Sequence, residues 1–203
     1  MTFWDDNATP AGVFNVGDMY HTYTRRQAAF IVEQLDIQSG FVADIGCGIG
    51  RLSFEVAHEG PGLTVVGIDP SFEMIQVALE RLQAYTTPLS HRLTFGVFKG
   101  DRLWEGADPF YDGAWCVLTF QHLPDDTVKQ HLKDLFEILK PGARLVTQWV
   151  TSGEEAPMSY PRDWLDIFYS HRDAGFDVPT YATDEHVTKY ADNWLWVVAE
   201  KPA

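Results

Sequence analysis

The stretch Val42–Ser53, "VADIGCGIGRLS", decides how this chain folds. Its first four residues are apolar apart from one acid and do not alternate with polar ones, the pattern of a strand buried on both faces of a parallel sheet. Glycines then stand at alternate positions, Gly46, Gly48 and Gly50, where a backbone can turn with positive φ or approach a ligand closely. The helix "RLSFEVAHE" follows at once. The dinucleotide fingerprint G-x-G-x-x-G does not fit, because counting from Gly46 and Gly48 puts Arg51 at the third position, and the phosphate loop G-x4-G-K-[ST] is absent as well. Asp44 adds a further sign, since an acid inside a buried strand is costly unless it is paired.

Outward from this stretch, strands and helices alternate. Residues 18–37 read as an amphipathic helix with Tyr20, Tyr23, Phe30, Ile31 and Leu35 near one stripe. After "VADI" and its helix come the strand "LTVVGI", a helix from Ser71 with Met74, Ile75, Ala78, Leu79 and Leu82 on one face, and strands at "RLTFGVF" and "GAWCVLTF". In "LPDDTVKQHLKDLFEILKPG", Asp125 and Asp126 suit a helix start, Lys140 suits its end and Pro141-Gly142 is the stop; Val128, Leu132, Leu135, Phe136 and Leu139 form the buried stripe. The strand "ARLVTQWV", the helix "DWLDIFYSHRDAG" and the strands "FDVPTYAT" and "WLWVVAE" complete the chain, with His171 read as a surface residue of that helix. This alternation predicts an α/β fold, a doubly wound, mainly parallel sheet with helices on both faces. The last two strands have too little chain between them for a helical crossover and read as an antiparallel pair.

No repeat or Pro/Gly/Ser linker divides the 203 residues, so 1–203 reads as a single domain. It comprises an N-terminal arm or lid at 1–17, the leading helix at 18–37, the ligand-binding core at 38–150, and the last helix and strand pair at 151–203. The net charge of −14, without a basic cluster, argues against a nucleic-acid partner. No apolar run reaches a membrane span and "MTFWDDNATP" lacks a secretory signal, so a cytoplasmic protein is expected. Cys47 lies in the glycine loop and Cys116 in an apolar run, which disfavours a disulfide, and the histidines show no metal-ligand spacing, so no metal is expected.

Two further acids follow strands. Asp69 ends "VVGID", 23 residues beyond Gly46, where a carboxylate can accept hydrogen bonds from ribose hydroxyls, and Asp101 sits in "FKGD" after the next strand. Taken together, "VADIGCGIGRLS", "VVGIDPSFEMI", "KGD", "FYDGAWCVLTFQHLPDD" and "LKPGARLV" resemble the class I S-adenosylmethionine-dependent methyltransferases, in the family's order over roughly residues 18–200, with its small-molecule members nearest. The resemblance implies a seven-stranded Rossmann-like sheet of order 3-2-1-4-5-7-6 with strand 7 antiparallel. It also implies S-adenosylmethionine as cofactor and S-adenosylhomocysteine as product. Carried over residue by residue, Asp44 meets the methionine amino group, and Gly46, Gly48 and Gly50 let the backbone approach the ligand. Asp69 holds the ribose, and Pro70 and Met74 pack around the adenine or ribose. Asp101 accepts from the adenine amino group with Arg102 beside it, and Thr119 lies near the methionine moiety. Tyr20 and Arg25 of the first helix are further candidates for the methionine carboxylate. "DPFY", 108–111, is similar to a motif of amino-methylating nucleic-acid enzymes, but it precedes the fourth strand and has Phe110 in place of the second proline, so it is set aside.

Methyl transfer from a sulfonium is an in-line displacement that needs alignment and, for a hydroxyl or ammonium acceptor, a general base. His122 in "FQHLPDD" is the candidate base, since an imidazole accepts protons near neutrality. Tyr20, Tyr23, His122 and Tyr160 are the candidate acceptor-binding residues, within an aromatic set that also includes Phe3, Trp4, Phe14, Met158 and Trp164. The expected partner is a small-molecule acceptor, for a monomer or homodimer. The alternatives are a protein or peptide methyltransferase and a non-catalytic subunit that binds S-adenosylmethionine.

Overall fold

The computed structural model describes residues 7–9, 19–85, 88–98, 103, 109–152, 160–183 and 194–203. Helix α1 (Tyr20–Leu35) leads into β1 (Gly40–Ile45), α2 (Arg51–Glu59), β2 (Leu63–Asp69) and α3 (Phe72–Ala84). A 3-10 turn at Pro88–Arg92 precedes β3 (Leu93–Val97); then come β4 (Tyr111–Cys116), a second 3-10 turn at Phe120–His122, α4 (Asp125–Ile138) and β5 (Leu139–Val150). Helix α5 (Trp164–Ala174) and strands β6 (Thr180–Thr183) and β7 (Trp194–Glu200) follow. The strands form one sheet of order β3-β2-β1-β4-β5-β7-β6, in which β7 runs antiparallel to both neighbours and the other pairings are parallel. The expected topology is therefore the observed one.

The position of β1 explains its sequence. It pairs in parallel with β2 and with β4, so both of its edges are bonded and both faces are covered. Val42 joins a core cluster with Ala28 and Ile31 of α1, Val56 of α2 and Ile75 of α3, whereas Ala43 joins the opposite cluster with Leu132 of α4 and Ile167 of α5. Asp44 has the parity of Val42 and so shares the face of α1 and α2.

Caps account for the best-defined helix ends. The Ser71 hydroxyl accepts from Met74 N at 3.2 Å at the start of α3, and the Asp163 carboxylate accepts from Leu165 N at 2.8 Å at the start of α5. Gly175, with φ 109°, ends α5, and Phe176 N donates back to His171 O. "FDVP" is therefore a helix cap and loop, and β6 begins only at Thr180. Two other boundaries also differ from expectation. Helix α4 stops at Ile138, because Pro141 would clash with the carbonyl four residues back and disfavours helical backbone at Lys140. Lys140 pairs with Asp112 at 2.7 Å, and it is Lys201 whose Nζ donates to Phe136 O and Leu139 O at the helix end. Strand β4 ends at Cys116 rather than running through Phe120, because Leu118 turns the chain with φ 61°.

His171 is a correction: it is fully buried, on a stripe with Ile167 and Ala174 at helical spacing. Its Nδ1 donates to Ile167 O at 2.8 Å, so Nε2 faces the Thr147 hydroxyl at 3.4 Å, and the Trp149 indole N–H donates to Thr147 Oγ1 at 2.7 Å. Burial lowers its pKa from 6.5 to about 4, partly opposed by the bond to Ile167. Above pH 6.5 neither folded nor unfolded chain holds this proton. Between 6.5 and about 4 only the unfolded chain takes it up, so stability falls as pH falls through this window, by about 3 kcal/mol in all. Asp44 titrates with the opposite sign over part of this range, so the check is the difference between two proteins: in urea unfolding His171→Asn should be less stable than the wild type at neutral pH, and the gap should shrink by about 3 kcal/mol as pH falls to 4.

Candidate active site

The carboxyl ends of β1, β2 and β4 share one rim, and the loop Gly46–Gly50 lies across it. All three of its glycines have left-handed backbones, with φ of 70°, 54° and 75°. The loop is latched to β2, since Gly46 N and Cys47 N both donate to Ile68 O, at 2.8 and 3.0 Å. A Cβ on Gly46 would run into the Thr119 side chain, and one on Gly50 would meet Phe95 at 2.8 Å, so these positions admit no larger residue without displacement. Cys47 is a buried thiol whose pKa is pushed up by burial and by the nearby Asp44 and Asp69.

Two carboxylates stand beside the loop. Asp44 is 3% exposed and accepts from the Ser53 hydroxyl at 2.6 Å. Burial raises its pKa from 3.8 to about 7; the Ser53 bond and the Arg51 charge pull it down, and Asp69 pushes it up again. Asp69, also buried, accepts from Gly48 N through Oδ2 and from Ser71 N through Oδ1, each at 2.9 Å. A carboxylate has about four lone-pair sites, more than these two backbone bonds use. Pro70 is exposed at the mouth of α3, and Met74 is buried on its first turn. Asp101 and Arg102 lie outside the described residues. Leu103, just beyond them, is held by the buried Asp134 carboxylate, which accepts its N–H at 2.8 Å.

On the β4 side, Thr119 Oγ1 reaches Gly46 O and Val117 O, both at 3.3 Å, which joins this turn to the glycine loop. Leu118 is a non-glycine residue with left-handed backbone, a strained conformation of the kind that clusters at functional turns. His122 is half-buried, and its Nε2 lies 2.9 Å from the Gln121 amide Nε2. Tyr160 is 36% exposed and its N–H donates to Gln121 O at 2.8 Å, so the post-β5 segment lies against the His122 turn.

Helix α1 contributes Tyr20 and Tyr23, both half-buried, with the Tyr20 pKa raised by burial against the pull of Arg51. Arg25, the other candidate on this helix, is 69% exposed, with its Nε 3.9 Å from Glu55. The buried cation here is Arg51, 4% exposed, which donates to Gln27 Oε1 at 2.7 Å and Thr24 Oγ1 at 3.2 Å. Its pKa falls to about 10 through burial, while Tyr20 and Asp44 counteract. Sequence reading missed Arg51 and Ser53. A cation in the first turn of a helix opposes the helix dipole, and that was the available signal. Phe3, Trp4, Phe14 and Met158 lie outside the described residues, and Trp164 is 54% exposed at the start of α5.

Among the described residues, no group of three or more His, Cys, Asp or Glu is arranged to hold a metal ion, and no helix is long and apolar enough to cross a membrane. A family model described as "Methyltransferase domain" matches residues 42–142. Ubiquinone biosynthesis O-methyltransferase from Xanthomonas oryzae pv. oryzae is 28% identical over 116 residues, 57% of this chain and 45% of that protein. Demethylmenaquinone methyltransferase from Lactococcus lactis is 28% identical over 116 residues, 55% of this chain and 42% of that protein. The chain thus spans less than half the length of these curated relatives. Among solved structures, magnesium protoporphyrin IX methyltransferase from Synechocystis PCC 6803, with bound S-adenosylmethionine, superposes with a TM-score of 0.73 at 20% identity, over 98% of this chain and 91% of that one.

Proposed function

The chain belongs to the class I S-adenosylmethionine-dependent methyltransferases, and from that premise we propose that it transfers a methyl group from S-adenosylmethionine to a small-molecule acceptor by in-line displacement. The observation that carries this reading is the pair of buried carboxylates, Asp44 and Asp69, at adjacent strand ends on either side of a left-handed glycine loop. The set fits the methyl donor: a carboxylate for an ammonium, a second one for a ribose diol, and glycines whose missing Cβ atoms leave the backbone close to the ligand. It fits a dinucleotide poorly, because the third fingerprint position is Arg51, whose guanidinium is committed to Thr24 and Gln27.

When bound, the donor supplies an electrophilic methyl group on a sulfonium. The protein's work is alignment and proton transfer. Asp44 holds the amino group, Asp69 the ribose, Pro70 and Met74 the nucleoside face, and Thr119 the methionine end. Asp101 and Arg102, by family likeness, meet the adenine. Tyr20, Tyr23 and Tyr160 flank the acceptor, and His122 is the base that accepts its proton. We read residues 1–203 as one such domain, working in the cytoplasm as a monomer or homodimer without nucleic acid, in keeping with its net charge of −14.

The curated relatives are named for quinone biosynthesis, so phenols and catechols are the first acceptors to test. With tritiated methyl donor, label should enter a hydroxylated aromatic rather than a basic peptide. His122→Ala should lower kcat by roughly 10²–10⁴-fold, with the donor KM little changed. Label in peptides alone, or tight donor binding with no transfer to any acceptor, would contradict the assignment.

A further inference from the structure

Among the described residues on the β4 side of the rim, Arg162 is the most heavily bonded side chain, and the methyl-donor site makes no use of it. It is 8% exposed. Nε donates to Asp125 Oδ1 at 2.9 Å, Nη1 to Phe120 O at 2.9 Å and Tyr160 O at 3.3 Å, and Nη2 to Leu123 O at 2.6 Å. Nη2 also lies 2.9 Å from Asp125, and the guanidinium carbon sits 5.6 Å from the centre of the Trp149 ring. Every nitrogen of the fork thus has an acceptor.

We propose that Arg162 is a positioning residue for the acceptor side: its guanidinium, bonded to the carbonyls of Phe120, Leu123 and Tyr160, sets the conformation of the turn that presents Gln121 and His122 beside Thr119. This rests on the reading that His122 faces the acceptor. Phe120 and Leu123 bracket Gln121 and His122, so two arms of one rigid plane grip both ends of a single turn. The third carbonyl, that of Tyr160, belongs to the strap whose own N–H bonds Gln121 O at 2.8 Å. Arg162 N meanwhile donates to Val150 O at 2.9 Å, which ties the strap to the end of β5. Turn and strap therefore form one unit with the guanidinium at its centre.

Three arguments set this role apart from core filling. Leu123 O and Tyr160 O lie outside the helix and strand ladders, and Phe120 O otherwise has only the 3.2 Å bond from Leu123 N that closes the short 3-10 turn, so the side chain adds bonds that regular structure supplies elsewhere. The turn is entered through Leu118 with φ 61°, and a strained residue persists where its surroundings over-determine the chain, which is what the fork does. Finally, the chemistry demands arginine. An apolar chain such as methionine would still cover Trp149, and lysine would keep the charge beside Asp125. Neither offers a planar set of donors that reaches three carbonyls at once. The ion pair itself contributes little, because the Asp125 side chain is 69% exposed and solvent screens it.

The test uses the full chain with histidine rings labelled for NMR, and the variants Arg162→Lys and Arg162→Met. In both, the His122 ring signals should shift or split. Exchange of the His122 and Tyr160 amides should quicken by ~10-fold or more. The signal of His171, buried against Thr147 and Trp149, should stay at its wild-type position and report an intact core. The calorimetric dissociation constant for S-adenosylhomocysteine should change by no more than about twofold, since the fork touches neither Asp44 nor Asp69. His122 signals that overlay the wild type in both variants would overturn the proposal, and so would their restoration by lysine. Should Arg162→Met lose the His171 signal, Arg162→Lys decides by the same readout. Failure of the wild type to bind S-adenosylhomocysteine would instead remove the methyl-donor reading, an outcome separate from the NMR result.

Discussion

Asp44→Asn is expected to make the ligand-free protein more stable at pH 8, by about 2–4 kcal/mol, while weakening its hold on S-adenosylmethionine at least ~100-fold. The carboxyl is 3% exposed and, chiefly through burial, keeps its proton up to about pH 7 instead of 3.8. In the unfolded chain the proton leaves near the ordinary value. Between 3.8 and about 7 the folded chain therefore holds more protons than the unfolded one, so stability falls as pH rises through that window, and the whole penalty stands above it. Asparagine never ionises, and its carbonyl oxygen can still accept the Ser53 hydroxyl, so the substitution removes the penalty and keeps the bond. The melting temperature should rise by roughly 5–15 °C at pH 8 and by much less at pH 4. Affinity moves the other way, because an ammonium beside a carboxylate gains a charge-assisted bond that an amide cannot match. The same ammonium pulls the Asp44 pKa down on binding, so binding near neutral pH should expel a proton. Titration with S-adenosylhomocysteine in two buffers of different ionisation enthalpy should give buffer-dependent heats for the wild type and not for Asp44→Asn. A variant that is less stable at pH 8 and binds as tightly would contradict this account of Asp44.

Asp69→Ala should weaken S-adenosylhomocysteine binding by roughly 10²–10³-fold and also destabilise the free protein by about 1–3 kcal/mol. The two effects have separate causes. The affinity loss would come from removing the carboxylate proposed to hold the ribose hydroxyls. The stability loss comes from Gly48 N and Ser71 N, which each donate to this carboxylate at 2.9 Å and would be left without it in a buried setting. Gly48 belongs to the glycine loop, so the alanine variant also loosens the cradle. Asp69→Asn separates these contributions: its single oxygen keeps one of the two backbone bonds, and its affinity and unfolding midpoint should fall between wild type and alanine. Calorimetry and urea denaturation on the three proteins check both. An alanine variant that binds like the wild type would remove the nucleoside from this strand end.

Local signals made most of the frame legible. The non-alternating "VADI" belongs to a strand with parallel neighbours on both sides, and the glycines at 46, 48 and 50 all adopt positive φ. Ser71, Asp163 and Gly175 cap helices where short-range rules put them. Errors arose where a distant partner overrides the local pattern. Lys140 has the position of a helix-end cation but is drawn to Asp112, while Lys201, which follows β7, donates to the carbonyls at that end. His171 was read as a surface residue because it is polar and lies between polar neighbours, although Ile167, His171 and Ala174 fall on one helical stripe. Site residues divide the same way. Asp44 and Asp69 were visible because an acid at the end of an apolar strand breaks the pattern. Arg51 carries only the weak signal of a cation in a first helical turn and Arg162 carries none, because their roles lie in partners 24 and 42 residues away, Gln27 and Phe120.

The most direct test of the central claim is a calorimetric titration of the wild-type protein with S-adenosylmethionine and S-adenosylhomocysteine, with NAD and ATP as controls and Asp69→Ala for comparison. The account predicts one-to-one binding of the first two, lost in the variant, and no heat from the controls. Binding of NAD in preference, or of neither methionine ligand, would contradict it.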